Sequence, residues 1–192
     1  MSSHSKHVAL LVKGARNEYI LNHGIDLINR SFTIHGTIDD NTFIKVDTCL
    51  TILEADCEDS PITIKINSGG GDLNNAWAIV SRMHNSSCPI ITEAYGSIMS
   101  AATLIFTAGD IRRASKYCSF MFHQIYTQIG GRTHDIVALA KSLLADESIS
   151  ANFLADNSKK TVQYWKNLLN LKQDVYLTSE QVLNIGIAEE IF

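Results

Sequence analysis

"PITIKINSGGGDLNNAWAIVSRM", residues 61–83, changes its hydrophobic period halfway along. Ile62, Ile64 and Ile66 alternate with Thr63 and Lys65, the two-residue period of a strand buried on one face. Gly69, Gly70 and Gly71 break the alternation. Beyond them Ala76, Ile79, Val80 and Met83 fall at i, i+3, i+4 and i+7, so the chain continues as a helix with one apolar stripe.

The same unit recurs downstream. "CPIITEAYG" (88–96) predicts a strand, "SAATLIFTAG" (100–109) a buried helix closed by Gly109, and "YCSFMFHQ" (117–124) a third strand. Upstream, "RSFTIHGTI" (30–38) predicts a further strand and "NTFIKVDTCLTILEA" (41–55) a helix. Successive β-α-β units imply an α/β fold with parallel strands and right-handed crossovers. From residue 133, Ile136, Leu139, Ala140, Leu143, Leu144, Phe153 and Leu154 keep helical spacing for longer than a crossover needs, so this helix is expected to project. Residues 1–29 are weakly patterned and expected to be partly mobile, leaving 30–192 as a single domain.

The bulk numbers agree with one domain: 192 residues, 45% hydrophobic and 19% charged. The net charge of −4 comes without any lysine and arginine stripe, which argues against nucleic acid as a ligand. The opening "MSSHSKHVALLVKG" carries too short an apolar run for a signal peptide or a membrane span. Cys49, Cys57, Cys88 and Cys118 are scattered without a CxxC, so a reducing, cytoplasmic setting is expected. His84 and Cys88 lie four apart but have no further ligands nearby, and no metal is expected.

Turns of small residues that lead from a strand end into a helix present unpaired backbone N–H groups, which suit an anion. "NSGGGDLN" has neither a GK[ST] nor a GxGxxG frame, so an oxyanion is a better fit than a phosphate. In "YGSIMSAATLIF" (95–106) Ser100 stands at such a turn, where it serves either as a helix N-cap or as a nucleophile. A nucleophilic serine needs a base and an orienting acid. His123, ending the apolar "FMFHQ", is the histidine placed to reach the same crevice. His4, His7 and His23 lie in the weakly patterned head, and His35, His84 and His134 have polar or turn neighbours. Among the acids Asp110, Asp135, Asp156 and Asp174, spacing does not choose.

From about residue 17 to Phe192 the chain resembles the proteolytic subunit of the Clp protease, a serine peptidase family with a crotonase-like fold of repeated β-β-α spiral units. The resemblance rests on "INSGGG" (66–71), "YGSIMSAA" (95–102), "FMFHQ" (120–124), "GGRTHDI" (130–136) and "DVYLTSEQVLNIGIAEEI" (174–191), in the family's order. It implies a nucleophile at Ser100, a general base at His123, an orienting acid at Asp174 and oxyanion donors at the backbone N–H groups of Gly71 and Ala101. It further implies a handle over 124–157 and a tetradecamer of two stacked heptameric rings. Unfolded protein or peptide substrates would be fed by an AAA+ Clp unfoldase, with no cofactor.

The chain departs from the family pattern at Gly69 and Ile125, where prolines are usual, and at Ala102, where glycine is. Lys172 and Gln173 replace an acid–arginine pair of the ring contact, and Thr63 and Lys65 stand where tyrosines of the unfoldase-docking pocket are common. The alternatives are a non-catalytic subunit of a mixed ring, a phage-type prohead protease, and a crotonase-like acyl-CoA enzyme.

Overall fold

A computed structural model describes residues 24–56 and 60–192, which form eight strands and six helices. In chain order these are β1 (Ile25–Asp26), β2 (Ser31–Ile38), α1 (Asp40–Asp56), β3 (Ile62–Gly71), α2 (Leu73–His84), β4 (Ile90–Met99) and α3 (Ala101–Thr107). They continue as β5 (Ile111–Ala114), β6 (Ser119–Phe122), α4 (Thr133–Asp156), α5 (Val162–Leu169), β7 (Val175–Thr178), α6 (Ser179–Ile185) and β8 (Glu190–Ile191). The main sheet runs β1-β2-β3-β4-β5-β8. Its pairs are parallel except β1 with β2. Of the segment 1–29, residues 1–23 lie outside those described, and β1 falls near its end.

The isoleucines of β3 point into the core, and Ile62, Ile64 and Ile66 are fully buried. Against them α2 lays the stripe read from the sequence, Ala76, Ile79, Val80 and Met83. Asp72 starts this helix by accepting the Asn75 N–H at 2.8 Å, the usual aspartate N-cap.

Two expectations change. The glycines do not end β3: the ladder with β2 continues through Thr37↔Gly70 and Ile38↔Gly71. A Cβ at Gly71 would overlap the backbone of Ile38, so the missing side chain is what lets β2 close in. The strand after α3 is also not "YCSFMFHQ" but the short β5, which pairs with Ile91–Ala94 of β4. The far half of β4, Ser97–Met99, instead pairs with β6. Two strands thus share one edge of β4, and Gly96, at φ 60°, marks the change of partner. There the Asn67 side chain accepts the Ser97 N–H at 3.1 Å, filling a gap in the β3–β4 ladder.

The long helix α4 buries only Ser150, Ala151 and Leu154, near its C-terminal end. Leu144, 61% exposed, shows how far its first part stands from the core. That end is anchored by α5, whose fully buried Trp165 packs on Phe122 with ring centroids 5.1 Å apart.

Candidate active site

Ser100 follows the last residue of β4 and precedes α3 with φ 53° and ψ −127°. Positive φ is disfavoured for any residue with a Cβ and costs roughly 1–3 kcal/mol. The surrounding bonds hold it: Ser100 N–H donates to the Met121 carbonyl at 2.9 Å. Its own carbonyl accepts from Thr103 N–H at 2.9 Å and from the Thr103 hydroxyl at 2.6 Å. The side chain makes no capping bond, so the N-cap reading of this serine does not describe its hydroxyl. Ser100 Oγ lies instead 2.7 Å from His123 Nε2.

That approach follows from register. Met99 pairs with Met121 across β4 and β6, so Ser100 and His123 emerge from the same ends of two hydrogen-bonded strands. On the other side of β6, Phe122 pairs with Val175 of antiparallel β7, which brings Asp174 beside the imidazole. His123 Nδ1 and Asp174 Oδ1 are 3.6 Å apart, with side chains 25% and 49% exposed. That is an ion-pair distance, longer than a hydrogen bond.

The other acids are elsewhere. Asp110 accepts the Ile90 N–H at 2.7 Å, and Asp135 pairs with Arg132 at 2.9 Å. Asp156 borders a separate depression with Arg112 and Lys159. The thiols of Cys49 and Cys118 are pushed by burial up to about 11 and about 12, so neither is a nucleophile near neutral pH.

Ser100 and His123 open onto a cleft of about 590 Å³ that Gly71 and Ala101 also line. Ala101 N–H belongs to the first turn of α3 and has no acceptor within the helix. Beside it, Gly70 packs so closely that a Cβ would lie 2.7 Å from the Met99 carbonyl oxygen and from Ser100 Cβ. Gly70 N–H donates to Ser68 Oγ at 3.0 Å, and Asp72 N–H to the Ile38 carbonyl at 2.8 Å. The intervening Gly71 lies beyond the last β3–β4 pair, Ser68↔Ile98, and lines the cleft. A hydroxyl bonded to an imidazole, beside backbone donors, is equipped for acyl transfer.

Sequence reading did not single out Thr103, Ser68 or Asn67, which hold this geometry. It also missed the wall that α4 gives the cleft, where Ser142, Asp146, Glu147 and Ser150 face the nucleophile's side. The signal was present as helical spacing of three and four.

The architecture has a counterpart among solved structures. A point mutant of ClpP1 from Listeria monocytogenes superposes with a TM-score of 0.79 at 23% identity, covering 86% of this chain and 92% of that one. The mixed α/β fold is therefore that of ClpP, as the resemblance implied. The Clp protease family model matches residues 17–192, and the chain belongs to this family. Among curated relatives, ATP-dependent Clp protease proteolytic subunit 2 of Rhodococcus jostii is 26% identical over 168 residues, 86% of this chain and 85% of that protein. The ATP-dependent Clp protease proteolytic subunit of Streptococcus gordonii is 28% identical over 169 residues, with the same coverage. Among the described residues no helix is long and apolar enough to cross a membrane.

Proposed function

We propose that this chain is a serine endopeptidase, the proteolytic subunit of a Clp-type protease, with Ser100, His123 and Asp174 as its triad. The observation that carries the reading is the 2.7 Å contact between Ser100 Oγ and His123 Nε2 at the mouth of the cleft. His123 takes the hydroxyl proton through Nε2 as Oγ attacks a peptide carbonyl. The Nδ1–H faces Asp174, which keeps that tautomer and stabilises the imidazolium as it forms. The tetrahedral oxyanion is received by the N–H groups of Gly71 and Ala101, and each such donor is worth about 10²–10³ in rate. Collapse expels the amine, protonated by His123, and leaves an acyl-enzyme that water hydrolyses with the same histidine as base. The reaction requires no metal or organic cofactor.

The family membership supports the rest of the reading. Residues 30–192 form one peptidase domain with a handle over 124–157. The subunits stack as two heptameric rings in the cytoplasm, and an AAA+ Clp unfoldase delivers unfolded chains. The test is hydrolysis of fluorogenic peptides by the purified protein, with a Ser100→Ala control, fluorophosphonate labelling and assembly mass measured on one sample. Labelling at Ser100 and loss of hydrolysis in the variant are expected. Hydrolysis unchanged in Ser100→Ala rejects the mechanism.

A further inference from the structure

We propose that the cleft selects lysine or arginine at the residue whose carbonyl Ser100 attacks, through the carboxylates of Asp146 and Glu147. This rests on the proteolytic reading above and adds a substrate class to it.

One face of α4 forms the cleft wall. Leu139, Ser142, Leu143, Asp146, Glu147 and Ser150 succeed one another at helical spacing, and all line the cleft that holds Ser100 and His123. The two carboxylates sit in the middle of this stripe and are half-buried. Among the described residues neither has an ion pair or a hydrogen-bond partner for its side chain. Ser150 does not serve them, since its hydroxyl donates to the Asp146 backbone carbonyl at 2.9 Å. Among the described residues no lysine or arginine lines the cleft, and the third carboxylate there, Asp72, is engaged in capping α2. Ile125, Leu139 and Leu143, all partly exposed, give the same cleft its apolar surface.

This combination suits a long side chain with an apolar stem and a cationic tip, the stem against these aliphatic side chains and the tip at the carboxylates. It also works by rejection. A leucine in the same place would strip water from two like charges without giving them a partner, and an acidic residue would add a third. Selectivity of about tenfold or more in kcat/KM for lysine over leucine follows, in the range of one well-placed specificity contact.

The test compares peptides that differ only at this residue, lysine, arginine or leucine, on the assembled protein and on Asp146→Asn/Glu147→Gln. Peptidyl diphenylphosphonates carrying lysine or leucine read the same preference as a labelling rate at Ser100. The expected result is a lysine-to-leucine ratio of about ten in the wild type, shrinking as salt rises from about 0.05 to 0.5 M. The double variant brings that ratio close to one. Because it is a ratio, it does not depend on how much of the variant folds or assembles. Ser100-dependent hydrolysis with leucine preferred overturns the proposal and leaves the protease reading standing. So does a ratio unchanged in the double variant, including the case where only its assembly mass shifts, which would mark the carboxylates as subunit contacts. Absence of both hydrolysis and labelling at Ser100 removes the protease reading itself, and the proposal with it.

Discussion

Adding one methyl group at Gly70 tests whether the end of β3 and the start of α3 are fitted to each other for catalysis. A Cβ there would stand 2.7 Å from the Met99 carbonyl oxygen and from Ser100 Cβ, and 3.1 Å from Ala101 N, on a backbone at φ 94°. Carbon atoms in good contact are about 3.5 Å apart or more, so Ser100 must retreat by about 0.8 Å. A displacement near 1 Å costs about 100-fold in rate when it disturbs an attack geometry. The φ penalty of about 1–2 kcal/mol and an overpacking penalty of about 1–3 kcal/mol act on stability together. Gly70→Ala is therefore expected to lower peptide-hydrolysis kcat about 100-fold. It should also lower Tm by roughly 5–15 °C for a domain of this size. Gly69→Ala is the control: nothing lies within 4 Å of a Cβ there, and both activity and Tm should hold. A Gly70→Ala protein within about threefold of wild-type activity at unchanged Tm would refute the reasoning.

Asp174→Asn should lower kcat by about 10²–10⁴ while Ser100 stays in place, and a loss below threefold would mean that the acid is not engaged across the 3.6 Å gap to His123. Trp165→Ala removes a fully buried ring and its 2.9 Å bond to Ser158 Oγ. It is expected to cost about 3–5 kcal/mol by denaturant unfolding, and a cost under about 1.5 kcal/mol would contradict the packing described. The Glu54 carboxyl is held below the usual range by its hydrogen bonds to Arg82, at 2.9 and 2.7 Å. A lowered folded pKa stabilises above the unfolded value near 4.3 and is lost as pH falls through the folded one, so the stability gap between wild type and Glu54→Gln should close below about pH 4. A gap that ignores pH would show that the pair contributes nothing electrostatic. Cys49 and Cys118, with thiols near 11 and 12, should alkylate far more slowly at pH 8 in the native than in the unfolded protein, as read by peptide mass mapping.

Elements long enough to show a period were legible in the sequence, and those defined by their partners were not. Ile62, Ile64 and Ile66 announce β3 because one face of that strand meets the core at every second residue. The four residues of β5 and the two of β8 carry no period, and it is pairing, Arg113 with Glu190 and Ala114 with Ile191, that makes them strands. Glycines at 69–71 read as an interruption because the uses of two of them, close approach of Ile38 at Gly71 and of Met99 and Ser100 at Gly70, are tertiary facts. Ser100 stood out as a hydroxyl among small side chains within an apolar run, and His123 as a polar residue at the end of one. Asp174 did not, since it is half exposed before a short strand, and the family resemblance singled it out where spacing could not. The α4 wall escaped notice because its stripe mixes Leu139 and Leu143 with Ser142 and Asp146, and so reads as an ordinary amphipathic face.

The divided edge of β4 separates two tasks that the protein must perform. Spacing between Ser100 Oγ and His123 Nε2 is governed by main-chain rungs joining Ser97–Met99 to Ser119–Met121, rungs that are indifferent to the side chains around them. Side chains on a helix reached by a different stretch of chain decorate the trough where a substrate would lie. On the proposed reading, substitutions along that helix redirect which peptides are cut while the chemistry of cutting stays as it was.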